Sequence, residues 1–242
     1  DDVVASRLAA RHDTVTYGRD DGNDVQAVEV RADNGAFVFG IERHGERLGT
    51  IELPMRGIHN VINATGAIAM ALEVGAPYDD IRAALAKFGG VARRFEVRGV
   101  DDGATFVDDY AHLPSEISAV LAATRHSGDK WKRVIAVFQP NRYNRISEIW
   151  EEYGGSFTDA DIVVLTDIYP SGTTPIPGVT GKLIVNAVTE ADPSKRVVWL
   201  PNRQELIDFV AREARDGDIV LSMGCGDIAS LPSEVLDARR RR

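Results

Sequence analysis

Asp108-Asp109-Tyr110-Ala111-His112, running into Leu113-Pro114-Ser115-Glu116, places two carboxylates, a phenol and an imidazole within one short stretch. Carboxylates accept hydrogen bonds, a phenol adds an aromatic face, and an imidazole exchanges protons near neutral pH. Thr105-Phe106-Val107 leads in as a short apolar run, and Pro114 with Glu116 reads as the first turn of a following helix. In open α/β sheets ligands sit outside the carboxyl ends of the strands, so a polar loop between strand and helix is well placed to bind or react. Asp and His are also ordinary loop residues, and taken alone this stretch leaves a structural role equally open.

Other strand ends carry similar text. After an apolar run over 134–138 comes Gln139-Pro140-Asn141-Arg142-Tyr143-Asn144-Arg145, with two arginines three apart at a helix start, spaced to share one face of the first turn. Cations there oppose the helix dipole and call for an anion, a carboxylate or phosphate, unless they pair with Glu148 or Glu151. The stretch 167–178 is longer than most connections and suits either a loop over a site or a mobile surface loop. Gly224-Cys225-Gly226-Asp227 lets a backbone approach closely, but as a dinucleotide fingerprint it is weak, lacking its third glycine. Further upstream, His59 and Asn63 fall one turn apart at the start of a helix with Asn60 beside them; an amide there can read a nucleobase edge or cap the helix. Arg94 stands between the two halves of the chain, placed for a phosphate or for a routine salt bridge.

The elements that must position these residues follow from pattern. Strands are expected over 15–17, 25–30, 36–42 and 47–53, with turns at Asn34-Gly35 and His44-Gly45, as a set of antiparallel hairpins. Helices follow over 60–74 and 78–88, ended by Gly89-Gly90, and the domain boundary is placed near 94–99. Beyond it, strands over 105–107, 134–138, 162–166, 197–200 and 219–223 alternate with helices over 114–125, 146–153, 181–189 and 203–215. That alternation predicts an α/β fold with a doubly wound, mostly parallel, Rossmann-like sheet, preceded by a β-rich plus helical part. Parallel strands share one carboxyl edge, so the motifs above converge there.

With 242 residues, 44% hydrophobic and 27% charged, the chain suits one large globular domain or two modest ones. A net charge of −9 excludes wholesale nucleic-acid binding, so an anionic ligand needs a local basic pocket. The single cysteine, Cys225, excludes an internal disulfide and a cysteine-built zinc site, and fits a reducing compartment, the cytoplasm. No apolar run is long enough to span a membrane and no leader pattern is present, so no membrane insertion is expected. The basic run 239–242 reads as a solvated tail. Asp1-Asp2-Val3-Val4 opens without Met directly into patterned text, and the chain reads as a fragment.

His59-Asn60-x-x-Asn63, Arg93-Arg94-Phe95-Glu96, Asp108-Asp109-Tyr110-Ala111-His112 and Phe138-Gln139-Pro140-Asn141-Arg142-Tyr143-Asn144-Arg145, in this order, resemble the Mur ligases. The likeness continues through 167–181 and 223–228, over nearly the whole chain. Any one motif is moderately specific; four in register are strong. The resemblance implies the distal part of the central ATP-binding domain over 1–96 and the whole C-terminal Rossmann-like ligase domain over 97–242. It implies ATP and Mg2+ as cofactors and, in the branch most resembled, ligation of L-alanine to UDP-N-acetylmuramate through an acyl phosphate, a step in peptidoglycan precursor synthesis. No G-x-x-x-x-G-K-[ST] loop occurs; the resemblance puts it and the magnesium ligands upstream, so no metal ligand is expected here and the chain alone is expected to be inactive. By the same resemblance His59, Asn60 and Asn63 line the adenine pocket, Arg94 faces the nucleotide phosphates, Asp109 the ribose hydroxyls, and Tyr110 lies near the adenine. His112, Arg142 and Arg145 hold the L-alanine carboxylate and the acyl-phosphate side of the intermediate. Leu113 stands where the family usually repeats a histidine, and Asn141 replaces a histidine, both bordering the amino-acid pocket. Competing readings are a sister ligase taking a preformed peptide, a non-catalytic nucleotide- or precursor-binding module, and a plain NAD-binding domain. The two-arginine run favours the alanine branch, and the weak glycine pattern does not support NAD.

Overall fold

The structure, a computed structural model, describes residue 7 and residues 12–33, 35–126 and 131–241. The opening residues 1–4, Asn34 of the first expected hairpin turn, and Arg242 lie outside the described residues. The chain divides into two compact units, Asp1–Gly90 and Val91–Arg242. The boundary expected at 96/97 falls six residues beyond this division, just inside the second unit's first strand, which begins at Glu96.

In the first unit, strands β1 (Tyr17–Gly18), β2 (Val25–Asp33), β3 (Ala36–Arg43) and β4 (Glu46–Leu53) form one sheet in that order. The β2/β3 and β3/β4 hairpins are antiparallel, as expected, but β1 lies parallel to β2, which corrects the expectation of hairpins throughout. The cause is a local clasp. The Asp24 carboxylate accepts the backbone N–H of Thr16 at 2.8 Å and its hydroxyl at 2.7 Å, and the Thr16 hydroxyl accepts the Asp24 N–H, so the intervening loop closes on itself and the chain re-enters in the same direction. Two helices follow, α1 (Ile58–Glu73) and α2 (Tyr78–Ala86). Val61, Ala64, Ile68 and Ala69 recur at helical spacing and bury against Val25, Phe39, Ile41, Ile51 and Leu53.

The second unit carries the alternation read from the sequence. Its strands are β5 (Glu96–Asp101), β6 (Ala104–Asp109), β7 (Arg133–Phe138), β8 (Ile162–Leu165), β9 (Arg196–Trp199) and β10 (Asp218–Met223), in the order β5-β6-β10-β7-β8-β9. All pair in parallel except β5, an antiparallel edge strand that the sequence did not announce. The helices are α3 (Pro114–His126), α4 (Tyr143–Ile149), α5 (Lys182–Ala191), α6 (Arg203–Glu213) and α7 (Leu231–Arg240). The helix expected over 146–153 instead starts at Tyr143, and a 3-10 stretch, Trp150–Phe157, takes over from Trp150. One sheet face packs Val107, Ala136 and Leu221 on Ile117, Leu121 and Ile184; the other packs Phe106, Ile135 and Val137 on Leu206, Val210, Leu231 and Val235. Helices on both faces bury the central strands completely, which is why those strands read as unbroken apolar runs.

Arg239 corrects the tail reading. It lies in α7 with its side chain 9% exposed, bonded to Asp101 and to the Ala211 and Ala214 carbonyls, its guanidinium 5.8 Å from the Phe106 ring centre. A long side chain can bury its stem and still satisfy its charge, so a basic run at a chain end need not be solvated. Arg240, near Asp237, and Arg241 are exposed.

Candidate active site at the carboxyl edge of the parallel sheet

Strand β6 is buried along its whole length and ends in Asp108 and Asp109, 0% and 2% exposed. Two carboxylates at the end of a buried strand need partners, because an uncompensated buried charge is costly. Arg93 supplies one set. Its guanidinium grips Asp108 through Nε at 2.8 Å and Nη2 at 3.3 Å, and Nη2 also donates to the Gly224 carbonyl at 2.7 Å, tying the ends of β6 and β10 together. Arg93 and Phe95 both adopt positive φ, 60° and 52°, conformations that cost non-glycine residues energy and persist only where the surroundings fix them. The fixings are visible: Tyr110 N–H donates to the Arg93 carbonyl at 2.7 Å, Arg93 N–H to Glu96 at 2.8 Å, and Phe95 N–H to Asp109 at 2.7 Å.

Asp109 accepts that N–H and the one from Ala111, at 2.8 Å. Burial pushes its carboxyl above the usual carboxylate range, against the opposing pull of those two N–H groups and of Arg94. Tyr110 is 37% exposed, with the guanidinium of Arg93 at 5.0 Å and that of Arg94 at 5.7 Å from its ring centre. A partly exposed aromatic ring beside two cations suits a flat, anionic ligand. Arg94 makes no ion pair among the described residues, so the salt-bridge alternative for it is not what is observed.

His112 is held from several sides. Its Nδ1 lies 3.1 Å from the Tyr110 carbonyl and 3.2 Å from Glu116 Oε2. Its backbone N–H donates to Glu116 Oε2 at 2.9 Å, and its carbonyl accepts the Tyr153 hydroxyl at 2.9 Å. Glu116 also takes the Leu113 N–H at 3.1 Å, closing the first turn of α3 from its third position, as a capping box does. Tyr153 is fully buried, stacked on Phe138, and burial pushes its hydroxyl up to about 12, so it stays a donor.

Across the end of β10 the other motif follows β7, since Met223 is in register with both Asp109 and Phe138. Arg142 is the N-cap residue of α4 at φ 63°, and its backbone N–H donates to the Tyr169 carbonyl at 3.0 Å. Among the described residues its side chain has no acidic partner, and neither Glu148 nor Glu151 pairs with either arginine. Arg145 is turned back onto the neutral amide of Asn141, at 2.9 Å. The loop after β8 is laced to this helix start, not loose: Asn141 bridges Tyr169, Tyr169 N–H donates to the Pro140 carbonyl at 2.8 Å, and Thr173 Oγ1 accepts the Tyr143 N–H at 3.0 Å. Thr173 thereby supplies the cap that Arg142 cannot. Gly226 approaches the protein's own residues, since a Cβ there would sit 2.5 Å from both Gln139 Oε1 and Tyr169 Cγ. Cys225 between the glycines is half-buried.

In the first unit, taken by itself, Asn60 Nδ2 donates to the Arg56 carbonyl at 2.7 Å and lies 3.2 Å from His59 Nε2, while exposed Asn63 leans on Asn60 Oδ1 at 3.4 Å. The three sit together at the start of α1, and α1 is capped by Gly57 without any side-chain bond, so Asn60 is not its cap. The structure therefore gathers Arg94, Asp109, Tyr110, His112, Arg142 and Arg145 at one edge of the second unit and His59, Asn60 and Asn63 at one helix start of the first. Arg93, Glu116, Tyr153 and Thr173 were not singled out for their roles from sequence. Among the described residues no group of His, Cys, Asp and Glu is arranged to hold a metal ion.

The family model described as "Mur ligase, glutamate ligase domain" matches residues 93–226, more than half of the chain. The chain belongs to the Mur ligase family. The UDP-N-acetylmuramate–L-alanine ligase of Geotalea daltonii is 40% identical over 225 residues, covering 93% of this chain and 48% of the relative. A UDP-N-acetylmuramate–alanine ligase from Thermotoga maritima superposes with a TM-score of 0.77 at 25% identity, over 94% of this chain and 48% of that one. A MurF ligase from Thermotoga maritima, solved in complex with ADP, matches with a TM-score of 0.68 over 100% of this chain and 52% of that one; at 18% identity it shows the shared fold alone. This Mur ligase chain thus spans about half the length of the curated relatives it matches. Among the described residues no helix is long and apolar enough to cross a membrane.

Proposed function

We propose that this chain is the distal part of an ATP-dependent ligase that joins L-alanine to UDP-N-acetylmuramate, with residues 1–96 completing the ATP-binding domain and 97–242 forming the ligase domain. The observation that carries this reading is Arg142, a guanidinium with no acidic partner among the described residues, held at a helix start beside Arg145 on the ligand-binding edge of a parallel sheet. A planar cation left without an anion there suits the two oxygens of an amino-acid carboxylate. Arg145, oriented by Asn141, adds charge for the same carboxylate or for the phosphate side of the acyl intermediate. Tyr110 and Arg94 fit a nucleotide: the exposed ring offers a face to the adenine, and Arg94 a charge to the phosphates. Asp109, although both oxygens already accept one N–H, retains lone pairs for ribose hydroxyls. His59, Asn60 and Asn63 would read the adenine edge, with Asn63 the more exposed of the two amides. ATP, as its magnesium salt, supplies the phosphoryl group that activates the UDP-N-acetylmuramate carboxylate. No residue here is assigned to the metal, and the place of work is the cytoplasm, where both nucleotides are made.

The test is amide formation by a polypeptide of the relatives' full length that carries this chain, given ATP, magnesium, UDP-N-acetylmuramate and, in parallel, L-alanine, glycine, L-serine or a tripeptide. Product with L-alanine, with stoichiometric release of phosphate, is expected. Product with the tripeptide alone would move the chain to the peptide-joining ligases, and no product with any amine would contradict the ligase reading.

A further inference from the structure

The two neighbours of His112 Nδ1, the Tyr110 carbonyl at 3.1 Å and Glu116 Oε2 at 3.2 Å, are both oxygens that can only accept. A nitrogen facing two acceptors must carry the hydrogen, and in a neutral imidazole the other nitrogen is then a bare lone pair. Nε2 of His112 has no partner among the described residues. A neutral ring fixed this way cannot donate to a carboxylate; it can only take a proton or accept a hydrogen bond. We propose that Glu116 and the Tyr110 carbonyl lock His112 as the Nδ1–H tautomer, so that His112 Nε2 is the group that removes a proton from the incoming ammonium, leaving the amino-acid carboxylate to the arginines.

The inference rests on the ligase reading and assigns within it a step that reading leaves open. An amino acid arrives as an ammonium, whose nitrogen has no lone pair for attack. One proton passes from that nitrogen to His112 Nε2, and the imidazolium so formed is paired with the Glu116 carboxylate already beside Nδ1. The freed lone pair forms the C–N bond at the acyl carbon, and the C–O bond to phosphate breaks with its electrons leaving on phosphate, which also takes the second proton lost by the nitrogen. The rest of the shell keeps the ring in place: Tyr153 holds the carbonyl of His112, the Tyr110 ring meets the imidazole edge-on with centres 5.5 Å apart, and Arg93 and Arg94 lie over Tyr110. Glu116 is a positioning residue, acting through His112.

Hydroxylamine separates this role from a structural one, because it traps acyl phosphates and is already uncharged at neutral pH. In a polypeptide of full family length carrying this chain, His112→Gln is expected to lower kcat with L-alanine by about 10²–10⁴-fold, the span of general-base catalysis. Glu116→Gln is expected to lower it in the same direction but less, since its amide oxygen still accepts the N–H groups of the helix start. Hydroxamate formation by both variants is expected to fall far less than amide formation with L-alanine. Equal loss of both products would overturn the proposal. In the 242-residue chain itself, nitrogen NMR of the His112 ring, assigned with His112→Gln, is expected to show the proton on Nδ1; a proton on Nε2 would overturn it as well. A parent that forms neither product contradicts the ligase reading, a failure distinct from either.

Discussion

Arg93 and Arg94 are neighbours with opposite fates. Positive φ at Arg93 turns its guanidinium inward onto Asp108 and the Gly224 carbonyl, while Arg94, also near the Tyr110 ring, pairs with no acid among the described residues. Asp108 is wholly buried, so removing its cation leaves a charge with no compensation. Arg93→Ala is therefore expected to destabilise the second unit by about 3–5 kcal/mol, the usual cost of breaking a buried pair, and chemical unfolding of the chain measures it. The matching loss from Arg94→Ala should be small, because that side chain pairs with no acid among the described residues. The sequence pointed to Arg94 but gave no role to Arg93, since nothing in the text shows that the backbone at Arg93 turns its side chain onto a buried carboxylate. The polar motifs were legible for the opposite reason: carboxylates, imidazole and guanidinium at the end of an apolar run are an unusual text wherever they occur. What was not legible is which oxygens and nitrogens are already in use, and it is that inventory which leaves Arg142 without an acidic partner among the described residues and His112 Nε2 the open lone pair.

At the scale of elements, the parallel strands matched their apolar runs and so did their helices, except the one after β7, which starts early and turns 3-10 from Trp150; the elements at the margins did not. Strand β5 hides its pairing because Val97 and Val100 face outward around a bulge between Val97 and Gly99, so it shows no clean alternation. Helix α7 was masked by its own basic end, since Arg239 looks like tail text until Asp101 and two carbonyls are seen to receive it. At the opposite edge from the site, the starts of the strands are tied by charge: Glu213 at the end of α6 binds Arg196 of β9 and Arg133 of β7, and Arg133 also binds Asp218 of β10. The Arg196 guanidinium first, then that of Arg133, holds the Glu213 carboxyl at about 2 against an ordinary 4.5, despite the opposing effect of burial. A carboxyl whose folded value is depressed contributes stability that is fully present above its unfolded value and is lost as pH falls through its folded one. Denaturant midpoints of the second unit are thus expected to fall between about pH 4.5 and pH 2, and Glu213→Gln should flatten that fall while lowering the midpoint at neutral pH. An unchanged pH profile in the variant would contradict this account of the network.

The whole molecule is two units: His59, Asn60 and Asn63, proposed to read the nucleobase, sit at the start of α1 in the first, and the charged motifs at the carboxyl edge of the sheet in the second. The alternation of strand and helix made the second unit's class legible, because crossover connections force parallel strands and parallel strands share an edge. The order β5-β6-β10-β7-β8-β9 was not legible, for nothing in a run of apolar residues says that the last strand inserts between the first two parallel ones. That insertion is what sets the two motifs on either side of the end of β10. The central claim, that this edge takes the amino-acid carboxylate through Arg142, is tested most directly by the separate KM values for L-alanine and ATP in Arg142→Ala, measured in a full-length polypeptide carrying this chain. Loss of a charge-assisted bidentate contact, about 1.5–3 kcal/mol, predicts a KM for L-alanine raised roughly 10- to 100-fold with that for ATP unchanged. An unchanged KM for L-alanine, or a rise in the KM for ATP instead, would contradict it.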